Sequence, residues 1–355
     1  MVINQWVPAA HRGDAVGDSA RAVRDLLRAR GHTADIFALT IDEDLVGDIL
    51  RFEAPESREG DVTILHFAIP SPMSEALATL SHCRVLQYHN ITPAHFFAPY
   101  DAAMFRMATN GRRELAALAG RVDLALGDSE YNRHELEVLG FEQTGVLPIA
   151  VDLARITRAP SCPALSATLE DGLMNILFVG RIAPNKRLDD HVTLAELYKR
   201  YVDTECRFVC VGRTDAVPGY YAAVRSLLLE YRMPPDRFLF VGQVPDNELA
   251  TYYRTAQVYV SLSEHEGFCV PLVEAMASDV PILAYGAGAV SETLGGAGIC
   301  FTPKDLEHAA ELLGLLVYDD ALRSRVIEGQ RRRLDHFRPE VSERAVDGLV
   351  ARVRR

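Results

Sequence analysis

Short apolar runs alternate with amphipathic stretches along almost the whole chain. VTILHF at 62–67 and MNILFV at 174–179 contain no Asp, Glu, Lys or Arg and are bounded by turn residues. Runs of this length, rich in branched side chains, read as strands buried on both faces, the habit of parallel sheets. Further strands read at 2–7, 84–88, 122–126 and 145–147, then near 206–211, 237–241, 257–262, 280–285 and 298–302. The spacing predicts helices around 72–81, 98–119 and 129–139, with others between the later strands. Asp18 or Ser19 is suited to cap a first helix that runs to Arg30 and stops at Gly31. Repeated strand-helix alternation predicts an α/β protein built from doubly wound, Rossmann-like sheets.

A chain of 355 residues is long enough for about two domains by the usual domain size. The sheet pattern divides them as an N-terminal domain over 1–155 and a C-terminal domain over 173–335. Residues 156–172 are polar, contain proline and show no clean period, so they read as a linker. The segment 322–355 has a helical period with a break at Pro339, and 336–355 is set apart as a terminal helix.

Two strand ends carry the candidate chemistry. After the apolar run 256–262 comes SEHEGFCVPLVEAMA, in which Glu266 and Glu274 stand eight residues apart. Pro271 suits the first turn of a helix, since it has no amide hydrogen to leave unbonded there. Glu266 at a strand's end and Glu274 on the following helix can line one crevice. The amides of Phe268, Cys269 and Val270, together with His265 and Gly267, then offer donors to an anion or to hydroxyl oxygens. About ninety residues earlier FVGRIAPNK places Gly180, Arg181 and Lys186 after another strand. A guanidinium that forks two oxygens and a mobile ammonium can neutralise a diphosphate. Alone, each stretch is equally a solvated acidic pair or a basic loop.

The first half is less specific. Gly13 and Gly17 lie in a loop read over 8–17, and either let the backbone approach a bound phosphate or sugar or merely turn the chain. His89 follows the strand 84–88 at the edge where open α/β sheets bind ligands, and His66 ends another strand. Ser129 or Asp128 reads as a helix cap.

Composition narrows the classes. With 48% hydrophobic and 24% charged residues the chain can bury a sizeable core. A net charge of −12, from 37 basic against 49 acidic residues, argues against nucleic-acid partners. The six cysteines are scattered without CxxC or zinc-type spacing, as expected of free thiols in a reducing, cytoplasmic setting. No window resembles a secretory leader or a membrane span. Residues 331–355 hold eight arginines against four carboxylates, suited either to packing on the first domain or to an anionic membrane surface. Two decoys are set aside. The run 286–291, GAGAVS, has Ser291 where a dinucleotide fingerprint needs glycine, and the acidic run 42–44 lacks companion ligands, so no metal is expected.

Taken together, FVGRIAPNK at 178–186, the stretch 240–283 and GAVSE at 288–292 resemble the nucleotide-binding half of the family 4 glycosyltransferases. The resemblance implies a GT-B fold: two Rossmann-like domains whose parallel sheets face across a cleft, with the last helix crossing back to the first domain. It implies transfer, with retention of configuration, of a sugar from a nucleoside-diphosphate sugar to an acceptor hydroxyl. The acceptor expected is a glycan or lipid-linked saccharide of surface polysaccharide synthesis, with peripheral contact at the inner face of the membrane. In that reading Arg181 and Lys186 meet the leaving diphosphate in place of a metal, and no cofactor is needed. Glu266 and the 265–269 backbone hold the donor sugar, Glu274 holds the ribose, and the backbone near Val244 reads the base. His89 orients the sugar, while the loop bearing Gly13 and Gly17 closes over the donor. A non-catalytic nucleotide-sugar-binding protein and a GT-B sugar-nucleotide epimerase are the alternatives.

Overall fold

A computed structural model describes residues 1–11 and 13–354. The chain forms two compact units. The first comprises Met1–His95, Ala103–Val151 and Phe337–Arg355, and the second Phe96–Ala102 and Asp152–His336.

The first unit is built on a parallel sheet of seven strands: β1 (Ile3–Ala10), β2 (Ile36–Ile41), β3 (Leu50–Arg51), β4 (Val62–Phe67), β5 (Cys83–Tyr88), β6 (Leu124–Gly127) and β7 (Thr144–Val146). Their order is β3-β2-β1-β4-β5-β6-β7. β1 runs three residues beyond its predicted end. Past Trp6 it pairs only with β2, in a register that skips Pro8, so the imide nitrogen leaves no ladder bond unmade.

The helix Ala15–Ala29 also starts earlier than expected. Asp14, not Asp18 or Ser19, is its cap, accepting from the Gly17 amide at 3.1 Å. Gly17 is therefore a buried residue of the first helical turn rather than part of an open loop.

The terminal helix Pro339–Val353 belongs to this unit, as the resemblance implied. Val346, Leu349 and Val350 join Ile3, Ile64, Val85, Val23 and Leu27 in one core. Each such aliphatic side chain contributes about 1.5–3 kcal/mol on burial, while the Arg30–Glu343 bridge at the surface is screened by water and adds little. Apolar packing, more than charge, docks the helix.

The second unit carries a parallel sheet of six strands: β8 (Met174–Val179), β9 (Cys206–Val211), β10 (Phe238–Gly242), β11 (Val258–Ser261), β12 (Ile282–Tyr285) and β13 (Ile299–Phe301). The order β10-β9-β8-β11-β12-β13 places β8 and β11 side by side at the centre. The segment read as a linker is part of this unit. It holds two short helices, Ala154–Thr157 and Pro163–Leu169, tied to the helix Asp246–Thr255. Arg254 donates to the carbonyls of Ile156, Thr157 and Ala159, and the Cys162 amide donates to Thr251. Residues 96–102 also lie here, with the Tyr100 ring edge-on to Tyr220 at 5.1 Å. Among the described residues no helix is long and apolar enough to cross a membrane.

Candidate functional site

In an open parallel sheet the loops leaving the strands' carboxyl ends form the natural ligand edge. In the second unit the loops after β8 and β11 are stitched together there. The Glu264 amide donates to the Asn185 carbonyl at 2.8 Å, and Asn185 Nδ2 donates to the His265 carbonyl at 3.1 Å. This brings Lys186 onto Glu266, with Nζ 2.6 Å and 2.7 Å from the two carboxylate oxygens. The Glu266 side chain is 8% exposed and that of Lys186 17%. Two of the three ammonium hydrogens are thus engaged and the third remains for another acceptor. Arg181 is exposed and pairs with no described residue. Gly180 and Gly212 let β8 and β9 end in contact, since a Cβ on Gly212 would stand 2.1 Å from the Gly180 carbonyl oxygen.

A further ionic layer fixes these loops from outside. Lys304 meets Asp190 at 2.5 Å, Glu264 at 2.9 Å and the Leu262 carbonyl at 2.9 Å. Arg187, held at φ 55°, pairs with Asp189, Asp190 and Glu264. Glu264 is consequently engaged in scaffolding, and Glu266 is the loop carboxylate turned to Lys186. From the β12 side the Ala289 amide donates to the Glu266 carbonyl at 2.9 Å. Gly288 presses on the same residue: a Cβ there would lie 2.5 Å from the Glu266 backbone oxygen.

The helix after β11 is Val270–Ala277, with Pro271 in its first turn as expected. Cys269 precedes it at φ 76°, and Thr293 Oγ1 donates to the Phe268 carbonyl. Burial pushes the Cys269 thiol well above its usual range, so it is a neutral group beside Glu266. His265 and Phe268 are buried and Gly267 half-buried in the same turn. The His265 ring lies 6.4 Å from that of Phe96. Glu274 is 5% exposed at its side chain, and each oxygen has one partner: Arg155 Nη2 at 2.5 Å and the Tyr253 hydroxyl at 2.9 Å. Arg155 also reaches Asp246 at 2.5 Å. Burial raises the Glu274 carboxyl above its ordinary range, and Arg155 opposes that rise. Val244 is half-buried in the loop between β10 and the helix that begins at Asp246.

In the first unit His89 lies at the end of β5 with its side chain 1% exposed. Its Nδ1 is 2.9 Å from Asp128 Oδ2, and its Nε2 is 2.8 Å from His66 Nδ1. His66 Nε2 stands 2.8 Å from Gln5 Oε1, while Gln5 Nε2 donates to the Ala20 carbonyl. Desolvation holds His66 well below the ordinary histidine range, hence neutral. Both His89 nitrogens have partners inside this unit. Ser129 is the cap expected, accepting from the Asn132 amide.

Gly13 sits at φ 70° with open space beside it, whereas Gly17 is helical. Asp42, in the acidic run, meets His11 Nδ1 at 2.8 Å. Among the described residues no group of three or more His, Cys, Asp or Glu side chains is arranged to hold a metal ion. The basic C-terminal segment has partners of its own: Arg331 forks Asp279, Arg333 donates to the carbonyls of Glu292 and Thr293, and Arg352 donates to that of Thr144.

The structure brings Lys186, Glu266 and the start of the Glu274 helix onto one set of strand-end loops. Sequence reasoning missed Asn185, Gly288 and Lys304, which hold that set, and Arg155 and Tyr253, which hold Glu274.

Residues 168–333 match the family Glycosyl transferases group 1. The O-antigen chain mannosyltransferase B of Escherichia coli is 26% identical over 147 residues, spanning 41% of this chain and 38% of that one. The lipopolysaccharide core biosynthesis mannosyltransferase LpcC of Rhizobium leguminosarum bv. viciae is 30% identical over 209 residues, 58% of this chain and 57% of that one. The chain spans between 23% and 57% of the length of the first three curated relatives it matches. Among solved structures, Anabaena HepE in complex with UDP-glucose superposes with a TM-score of 0.75 at 16% identity, over 99% of each chain.

Proposed function

We propose that the protein is a retaining, metal-independent glycosyltransferase; the GT-B fold and the match of residues 168–333 to glycosyl transferases group 1 support this reading. It moves a hexosyl group from a nucleoside-diphosphate sugar to the hydroxyl of a saccharide or lipid-linked saccharide. The observation that supports this reading is that Arg181, Lys186, Glu266 and Glu274, four of the residues singled out from the sequence, fall inside the matched region. Two curated relatives are mannosyltransferases of O-antigen and lipopolysaccharide core synthesis, which favours a surface glycan as acceptor and mannose as a donor sugar to test first.

Charge dictates the chemistry. When the bond between the anomeric carbon and the phosphate oxygen breaks, its electron pair leaves with the diphosphate and the sugar becomes cation-like. Arg181, exposed and without a described partner, and the third hydrogen of Lys186 are available to the diphosphate oxygens. Preorganised cations stabilise such developing charge most, because they need no reorganisation during the reaction. Glu266 binds donor-sugar hydroxyls and Glu274 the ribose hydroxyls. The acceptor oxygen attacks the face the diphosphate leaves, and its proton passes to the departing phosphate. No side chain is assigned as a covalent nucleophile. The acceptor falls to the first unit, and the partners of Arg331, Arg333 and Arg352 favour a packing role over a membrane role for the basic segment.

A thermal-shift screen of UDP- and GDP-sugars tests the donor. A ligand at a hundred times its Kd stabilises by about 2.7 kcal/mol, readily visible in Tm. The hit is then assayed for transfer and slow donor hydrolysis in excess chelator, with Arg181→Ala expected to lower turnover by about 10². Absence of any sugar-nucleotide shift refutes the assignment. Loss of activity in chelator that magnesium or manganese restores refutes metal independence.

A further inference from the structure

We propose that Arg155 is a positioning residue for the nucleotide, keeping the Glu274 carboxylate ionised and aimed at the ribose hydroxyls. This rests on the reading of Glu274 given above. Arg155 comes from a stretch with no periodic pattern, 119 residues before Glu274 in the chain, yet its Nη2 lies 2.5 Å from Glu274 Oε1. Its Nη1 lies 2.5 Å from Asp246 Oδ1, so the guanidinium is stretched between two carboxylates on different helices.

The surroundings of Glu274 explain why it needs such a partner. Its side chain is 5% exposed, and burial favours the neutral acid. The charged or titratable groups around it are Arg155 from Ala154–Thr157, Asp246 and Tyr253 from Asp246–Thr255, and Tyr259 from β11. Arg155 is the cation among them. Asp246 pushes the carboxyl the other way, and burial keeps the Tyr253 phenol protonated.

Geometry completes the argument. An ionised carboxylate has about four acceptor positions, two on each oxygen. Arg155 takes one on Oε1 and Tyr253 one on Oε2, which leaves one on each oxygen for a vicinal diol. A protonated Glu274 would present a hydrogen in place of one of these acceptors and could not hold both hydroxyls. Arg155 therefore acts through Glu274 rather than on the reacting atoms.

The test is calorimetric titration of the full chain with UDP and GDP between pH 7 and 9, for the wild type, Arg155→Ala, Arg155→Lys and Glu274→Gln. The wild-type profile provides the nucleotide's own pH dependence. Without Arg155 burial acts on Glu274 with no cation to oppose it and favours the neutral acid, so Arg155→Ala should bind at least tenfold more weakly at pH 7. Its affinity should recover on raising the pH, with a slope approaching about tenfold per unit as one proton is released. Arg155→Lys restores the cation and most of the flat profile. In turnover the loss falls on the donor KM with kcat kept at saturation. Should Arg155→Ala fail to fold, Arg155→Gln keeps a hydrogen-bond donor of similar length without the charge and should give the same pH trend. If Glu274→Gln weakens binding at every pH while Arg155→Ala, or Arg155→Gln in its place, follows the wild-type profile, the proposal is overturned and the ribose assignment stands. If Glu274→Gln binds like the wild type, the ribose assignment fails and this proposal with it.

Discussion

Replacing Lys186 by alanine separates the two jobs its position implies. The ammonium contacts both oxygens of a carboxylate that is 8% exposed, so the substitution leaves Glu266 without its cation. Breaking a fully buried pair from one side costs about 3–5 kcal/mol, and an exposed pair about 0–1 kcal/mol. Lys186 is 17% exposed, so water reaches the site and a loss of roughly 2–3 kcal/mol is expected. For a domain of this size that corresponds to a Tm lowered by about 5–10 °C. Turnover should fall about 10² if Lys186 also steadies the departing diphosphate. The double variant Lys186→Ala/Glu266→Gln removes the stranded charge and should regain at least half of the lost stability, but none of the activity. Scanning calorimetry and donor-hydrolysis rates on the three proteins decide the matter. A double variant that recovers both stability and turnover would reduce the pair to scaffolding. A single variant melting within about 1 °C of wild type would refute the energetic argument.

Two further outcomes follow from neighbouring features. His66 is wholly buried and held neutral, so its folded-state pKa lies below that of the unfolded chain. Its contribution to stability is complete above about pH 6.5 and is lost as the pH falls below that, by up to ~1.4 kcal/mol per pH unit. The urea midpoint should therefore drop between pH 7 and 5, and His66→Gln should flatten the drop; equal slopes in both proteins would contradict the assignment. Gly288→Ala would set a Cβ 2.5 Å from the Glu266 carbonyl oxygen at φ 57°. It should cost at least ~1 kcal/mol for the left-handed backbone and, by displacing the Glu266 loop, weaken donor binding measured by calorimetry. Unchanged donor affinity would mean that the loop's position does not matter.

The two sheets were legible because their central strands are short, uncharged runs rich in branched side chains and bounded by turn residues. The Lys186–Glu266 side of the site was legible for the same reason, since both residues sit within a few positions of such strands. What escaped is what depends on tertiary choice. GDAVGDS at 13–19 offers acidic caps at Asp14 and Asp18, and packing of the first helix selected the earlier one, which moved Gly17 out of the loop. Asp128 and Ser129 both read as caps, yet Ser129 alone caps and Asp128 turns to His89, 39 residues away. Arg155 lay in a stretch with no period, and nothing local links an arginine there to a carboxylate 119 residues on. The two-residue β3 is too short to leave a pattern.

The return of the helix Pro339–Val353 to the first core has a consequence for biosynthesis. A ribosome releases the first seven strands well before it reaches Val346, Leu349 and Val350, which complete the layer over Ile3, Ile64 and Val85. At roughly 5–20 residues per second, the intervening stretch takes on the order of ten seconds or more to emerge. For that interval the nascent N-terminal sheet lacks this part of its apolar cover, which makes it a natural client for a chaperone until the helix Pro339–Val353 emerges.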